Sequence, residues 1–161
     1  MKIPVIPQGG NTGLAGGCFA GTKGDTIILS LNRMNTIREV RADGRIAIVE
    51  GGVILSKLHD AAAEYGLIFP LFFGARGSAM IGGNLATNAG GSNVLRYGNT
   101  RDLVLGIEAV MPNGEIVDLM SELHKDNSGY NLKHLLIGSE GTLGIITAAV
   151  VKLFPKPKAY A

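Results

Sequence analysis

Three glycine-rich stretches hold the residues from which this chain could build chemistry. The first is Pro7-Gln8-Gly9-Gly10-Asn11-Thr12-Gly13-Leu14-Ala15-Gly16-Gly17, directly after the apolar run Ile3–Ile6. Successive backbone N–H groups with no Cβ in the way can curl into a nest for phosphate oxygens. Asn11 and Thr12 add side-chain donors. On residues alone, a mobile turn-rich loop is the equal alternative. The second stretch runs from Gly74 to Gly91 and carries only small uncharged polar residues, Ser78, Asn84, Thr87 and Asn88, beside Arg76. Small donors on a glycine backbone suit close contact with a flat or branched ligand. The stretch has no carboxylate and no histidine, so it reads as binding rather than proton transfer, with a tightly packed crossing as the alternative. The third, Gly138-Ser139-Glu140-Gly141-Thr142-Leu143-Gly144-Ile145-Ile146-Thr147, leads into an apolar run. Ser139 there reads equally as a cap on a short turn.

Other chemistries find no support. There is no G-x-G-x-x-G, and the glycine pair Gly16 and Gly21 is followed by Thr22-Lys23, the reverse of the P-loop order. There is no G-x-S-x-G and no C-x-x-C. His59, His124 and His134 lack metal-ligand spacing and read as surface histidines. Cys18 reads as a small buried thiol. Arg76, Arg96 and Tyr97 could face a carboxylate, and the two arginines could equally hold ligand phosphates or surface ion pairs; no catalytic role is given to them. Lys152, Lys156 and Lys158 read as a solvated exit.

These stretches need a scaffold. Apolar residues make up 46% of the 161, enough for a real core, and the net charge of +2 with no basic block argues against a nucleic-acid partner. One cysteine precludes an intrachain disulfide and suggests a reducing, cytoplasmic setting. Leu67–Ala75 is too short to span a bilayer, so no transmembrane segment is expected. Strands are expected at Ile3–Ile6, Asp25–Leu31 and Arg45–Val53, the last after a turn at Asp43-Gly44. Ile54–Tyr65 reads as a helix with Ile54, Leu58, Ala61, Ala62 and Tyr65 on one face and Gly66 at its end. Asn113-Gly114 between Ile107–Met111 and Ile116–Leu119 signals a hairpin. Leu132–Ile137 is ambiguous and reads as a short helix, and Ile145–Phe154 as a long final strand. The class is α+β, divided into a first subdomain at 1–44 with the first loop and a second at 45–161 with a mixed or antiparallel sheet.

In this order and spacing the motifs PQGGNTGLAGG, GARGSAMIGGNLATNAGG, RYGNTRDLVLGIEAVMPNGEIVD, KDNSGYNLKHLLIGSEGTLGIIT and KLFPKP resemble the FAD-binding domain, p-cresol methylhydroxylase type, of the vanillyl-alcohol-oxidase superfamily. Within it they are similar to the group of glycolate oxidase, D-lactate dehydrogenase and D-2-hydroxyglutarate dehydrogenase. The resemblance implies FAD as cofactor and oxidation of a D-2-hydroxy acid to the 2-oxo acid. It implies that Gly9, Gly10, Asn11, Thr12 and Gly13 cradle the pyrophosphate. Gly74, Ser78, Gly82, Gly83, Asn84 and Thr87 would line the path to the flavin, Gly90 and Gly91 would continue it, and Gly144 and Ile145 would approach through backbone atoms. Contact by Glu140 is left open. Where some relatives attach FAD through a loop histidine, this chain has Asn11-Thr12-Gly13, so noncovalent FAD is expected. The group also carries a strand and a helix before the first loop and a C-terminal substrate domain with metal-binding histidines and a carboxylate. The expectation is therefore an incomplete part with little turnover alone, which works with that substrate domain or with partner subunits. The alternatives are the FAD domain of a sugar or alditol oxidase and a noncatalytic nucleotide-binding module of a multisubunit complex.

Overall fold

The computed structural model describes residues 3–22 and 24–159. Strands β1 (Val5–Gln8) and β2 (Ile27–Ser30) pair in parallel, Val5 opposite Ile27. The pairing carries β1 through Pro7, two residues beyond the expected strand. Pro7 has no N–H to give, which a two-stranded edge tolerates.

The second sheet is wholly antiparallel. It comprises β3 (Ile37–Arg41), β4 (Ile46–Glu50), β6 (Val104–Val110), β7 (Ile116–Leu119) and β8 (Ile145–Lys152), in the order β3-β4-β8-β6-β7. The chain thus changes sheet between Ser30 and Ile37. Central β8 is buried along nearly its whole length because both faces are covered. One face meets the main core, with Val49, Ile107, Ala149 and Val151 against Leu58, Phe69, Ile81 and Leu85. The other carries a smaller cluster of Ile46, Leu105 and Val150. The Asn113-Gly114 hairpin joins β6 to β7 as expected, with Gly114 in a left-handed conformation. The final run divides at Leu153 into β8 and β9 (Phe154–Pro155), and β9 pairs with β5 (Leu67–Ile68).

Helix α1 (Leu55–Ala63) buries Leu55, Leu58 and Ala62. Tyr65, expected on that face, is exposed, because the helix stops before it and Gly66 turns the chain at φ 67°. Helix α2 (Ile81–Ala86) lies inside the second glycine stretch, for which composition offers a packed crossing as the alternative to a binding segment. Two glycines cost a helix about 1 kcal/mol each. Burial of Ile81 and Leu85 offsets that cost, and close approach requires it: a Cβ on Gly82 would lie 3.0 Å from the Gly51 carbonyl oxygen. Helices α3 (Val94–Tyr97) and α4 (Lys133–Leu136) are single turns.

The histidine reading needs correction. His59 is half-buried under the stretch before the second glycine segment. Its Nε2–H donates to the Leu71 carbonyl at 2.9 Å, and its ring stacks on Phe72. Burial holds its imidazole below the ordinary 6.5, opposed by the Leu71 hydrogen bond and reinforced by Arg76. The unfolded chain therefore takes the proton first, so stability is full above the ordinary value and falls as pH drops through it. His134, also lowered chiefly by burial, acts in the same window. Glu39, Glu50 and Asp126 are lowered by hydrogen bonds to Arg41, Thr36 and Ser128, and their contribution is lost only at more acid pH. His59→Gln keeps a donor for Leu71 and is expected to shrink the fall in Tm between about pH 7 and 5. An unchanged slope in thermal melts across that range would count against this account.

Candidate functional site

The first loop leaves β1 at Gln8, whose carbonyl accepts the N–H of Leu31. It then lies directly on the residues that open α2. A Cβ on Gly10 would fall 1.9 Å from the Ser78 carbonyl oxygen, so only glycine permits this approach. Asn11 sits at φ 51°, a left-handed conformation that asparagine adopts more readily than most residues. Its Oδ1 accepts the thiol of Cys18 at 2.8 Å. Cys18 is thus half-exposed on a cleft wall, not a buried thiol: the loop folds back and brings residues seven apart into contact.

The third stretch closes the opposite side. Gly138 N–H donates to the Leu85 carbonyl at 3.0 Å and Glu140 N–H to the Ala86 carbonyl at 2.9 Å, which straps the stretch to the end of α2. Gly141, at φ 78°, packs on Pro7 at the end of β1. Gly144 fits beneath Met111.

Between these walls runs a cleft open to solvent. Gly9, Gly10, Asn11, Thr12, Gly13, Gly82, Gly83, Asn84, Thr87, Gly144 and Ile145 all line it. Gly74 and Ser78 do not. Gly74 begins an exposed turn, and Ser78 supports Gly10 from behind through its carbonyl. Gly90 and Gly91 also lie off the wall, packed on Asn99 and on the Phe72 backbone. Leu31, Met80, Ala86 and Gly141 also join the lining, which the packing of the loops decides. Glu140 lines it too, at φ 54°, a strained conformation for glutamate.

The cleft's chemistry follows from its inventory. No lysine, arginine or histidine stands among the described residues lining it, so an anion there would be held by N–H dipoles and uncharged side chains. Asn84 is 5% exposed, and its Nδ2 has no hydrogen-bond partner. Leaving a donor buried and unpaired costs about 1–3 kcal/mol, which a ligand acceptor would recover. Ser139 Oγ is likewise buried without a partner, so it caps no turn. Thr87 Oγ1 donates to the Gly83 carbonyl and keeps its lone pairs.

The charged candidates elsewhere do other work. Arg76 lies 4.4 Å from the centre of the Phe72 ring, and Arg96 5.4 Å from that of Tyr97. Tyr97 packs edge-on against Phe154. Lys152 donates to the Asp102 carbonyl at 2.6 Å, which corrects its reading as solvated, while Lys156 and Lys158 are exposed. Among the described residues no His, Cys, Asp or Glu cluster could hold a metal, and no helix is long and apolar enough to cross a membrane.

Comparison with known proteins adds four findings. Residues 1–120 match the family described as FAD binding domain. The chain is 48% identical over 157 residues to a D-2-hydroxyglutarate dehydrogenase of Xanthomonas citri pv. viticola, covering 98% of this chain and 33% of that protein. It is 49% identical over 155 residues to a D-lactate dehydrogenase of Archaeoglobus fulgidus, covering 96% of this chain and 34% of that protein. Among solved structures it superposes on an alkyldihydroxyacetonephosphate synthase with a TM-score of 0.82 at 29% identity, covering 98% of this chain and 28% of the other. The chain thus spans about a third of the length of the curated relatives it matches.

Proposed function

The chain belongs to the FAD binding domain family, with the p-cresol methylhydroxylase type of fold, and on that premise we propose that it holds FAD noncovalently in the cleft as the flavin-binding part of a D-2-hydroxy-acid oxidoreductase. The observation that carries the binding mode is the orphaned Asn84 amide on a cleft wall with neither cation nor histidine among the described residues. The residues present fit the cofactor. Backbone N–H groups of Gly10 and Gly13 with the side chains of Asn11 and Thr12 would take the pyrophosphate. Asn84 Nδ2 would donate to an acceptor on the same ligand. Gly82, Gly83, Gly144 and Ile145 would allow close approach.

When bound, FAD supplies acceptance of two electrons from the carbon–hydrogen bond of the hydroxy acid. This chain's residues bind, orient and exclude water. Cys18 and Glu140 are the only ionisable side chains on the described cleft wall. Neither is given a catalytic role, and removal of the hydroxyl proton is assigned to a substrate domain or to a partner protein, in keeping with relatives about three times as long. The pairing of β3 with the second sheet bears on the subdomain division. We keep 1–44 and 45–161 as the proposed subdomains, with β3 pairing across the boundary. A cytoplasmic location is likewise a proposal, resting on the single cysteine, and the glycolate oxidase type remains one of the substrate classes.

The test is reconstitution. The folded chain incubated with FAD is expected to keep a flavin spectrum through gel filtration and to release all flavin on denaturation. Bound FAD should also slow alkylation of Cys18. A folded chain that stays colourless refutes the reading, and flavin that remains attached after denaturation refutes the noncovalent mode. With D-lactate or D-2-hydroxyglutarate and an artificial acceptor, little turnover is expected. Robust reduction would overturn the assignment of proton removal to another part.

A further inference from the structure

Arg101 lies outside the cleft yet bonds the segments that adjoin two of its walls. Its Nη1 donates to the His134 carbonyl at 2.7 Å and its Nη2 to the Ile137 carbonyl at 2.6 Å. These are carbonyls at the end of α4, which the helix itself cannot satisfy. A guanidinium presents donors in a rigid fork that can serve both at once, and its charge suits a helix C-terminus. The backbone N–H of Arg101 meanwhile donates to Asn88 Oδ1 at 2.9 Å. Asn88, at φ 47°, is the residue that turns the chain away from α2 immediately after Thr87.

The position of Arg101 is itself fixed. It sits in the single turn Thr100–Leu103, closed by a reciprocal capping box between Asn99 and Asp102. The neighbouring Thr100 is buried and bonds the Ala89 carbonyl through both its N–H and its hydroxyl. No carboxylate forms a salt bridge with Arg101 among the described residues. Its charge is spent on backbone carbonyls of the segment that enters the third glycine stretch. Gly138 begins that stretch in a left-handed conformation, and a Cβ there would lie 2.9 Å from Arg101 Nη2. Two residues later Glu140 reaches the cleft.

We infer that Arg101 is a positioning residue for cofactor binding: it clamps the third glycine stretch to the end of α2 and so sets the width of the cleft between Glu140–Gly141 and Asn84–Thr87. The consequence for FAD rests on the reading above; the clamp itself does not. Hydrogen exchange on the FAD-free chain separates them. The amides of Gly138 and Glu140, which donate to α2 carbonyls, are expected to be protected in the wild type and to exchange faster in Arg101→Ala. Unchanged exchange at both overturns the clamp whether or not FAD binds. FAD titration, followed by flavin fluorescence, is then expected to show affinity lowered by about tenfold or more in Arg101→Ala. Arg101→Lys, which keeps the charge without the fork, should fall between, and millimolar guanidinium should restore part of the loss in the alanine variant. Val150→Ala, in the small cluster on the other sheet face, controls for lost stability and is expected to bind as the wild type does. Wild-type affinity in Arg101→Ala, or in Arg101→Lys should the alanine variant not fold, overturns the assignment. So does a loss in Val150→Ala that matches the Arg101 variants at equal Tm.

Discussion

Gly10→Ala is expected to lower FAD affinity by about 100-fold or more, equivalent to ~3 kcal/mol. The reason is a single close approach. The new Cβ would lie 1.9 Å from the Ser78 carbonyl oxygen and 2.7 Å from its carbon, and both are backbone atoms that no rotamer change can move. The loop must lift from the start of α2, and the N–H groups of the nest then no longer converge. Forcing extra bulk into packed structure costs about 1–3 kcal/mol, so some loss of Tm is also expected. Gly13→Ala is the informative comparison. A Cβ at Gly13 meets nothing within 4 Å, so the fold should not register it. Titration of both variants with FAD checks the argument. If Gly10→Ala binds within about threefold of wild type, backbone proximity is not what makes the site.

Asn84→Leu is expected to have effects of opposite sign on stability and on binding. In the FAD-free chain the Asn84 amide is buried with Nδ2 unpaired. Replacing an unsatisfied polar group by an apolar one of similar size removes its desolvation cost, so Tm should hold or rise. FAD affinity should fall by about 10- to 100-fold, since the donor proposed for the ligand is gone. Such an exchange of stability for function is typical of sites built for a ligand. Thermal melts without FAD and titrations with it test the two halves separately. A fall in Tm with unchanged affinity would make Asn84 an ordinary core residue and remove the observation on which the binding mode rests.

Much of the fold was legible in the chain. The helix at 54–65, the Asn113-Gly114 hairpin and the final strand each carry a local signature: a 3.6-residue period, a turn dipeptide that accepts positive φ, a β-branched run. These are properties of neighbours in sequence, so the structure displaces their ends by only a few residues. The glycine stretches were legible for the same reason, because a cluster of residues without Cβ announces close approach. The motifs they form named FAD through their resemblance, where composition alone went no further than phosphate or a flat ligand.

What escaped was set by contacts distant in sequence. Helix α2 has two glycines in six residues, and only burial of Ile81 and Leu85 against the sheet makes it helical. Strand β3 pairs across to β4 because Ile37 and Val40 pack on the core, although its alternating charges hid it. Ser78, Gly90 and Gly91 look like their cleft-lining neighbours in sequence, yet the turns around them send the chain behind the wall. Cys18 looks like core and stands on the cleft. The residue types, and the glycine clusters that permit close backbone approach, were determined by the sequence itself. Which donors converge, which amide is left unpaired and which arginine holds the walls together were decided only when loops distant in sequence closed on one another, since a binding site is a property of distances that no local pattern encodes.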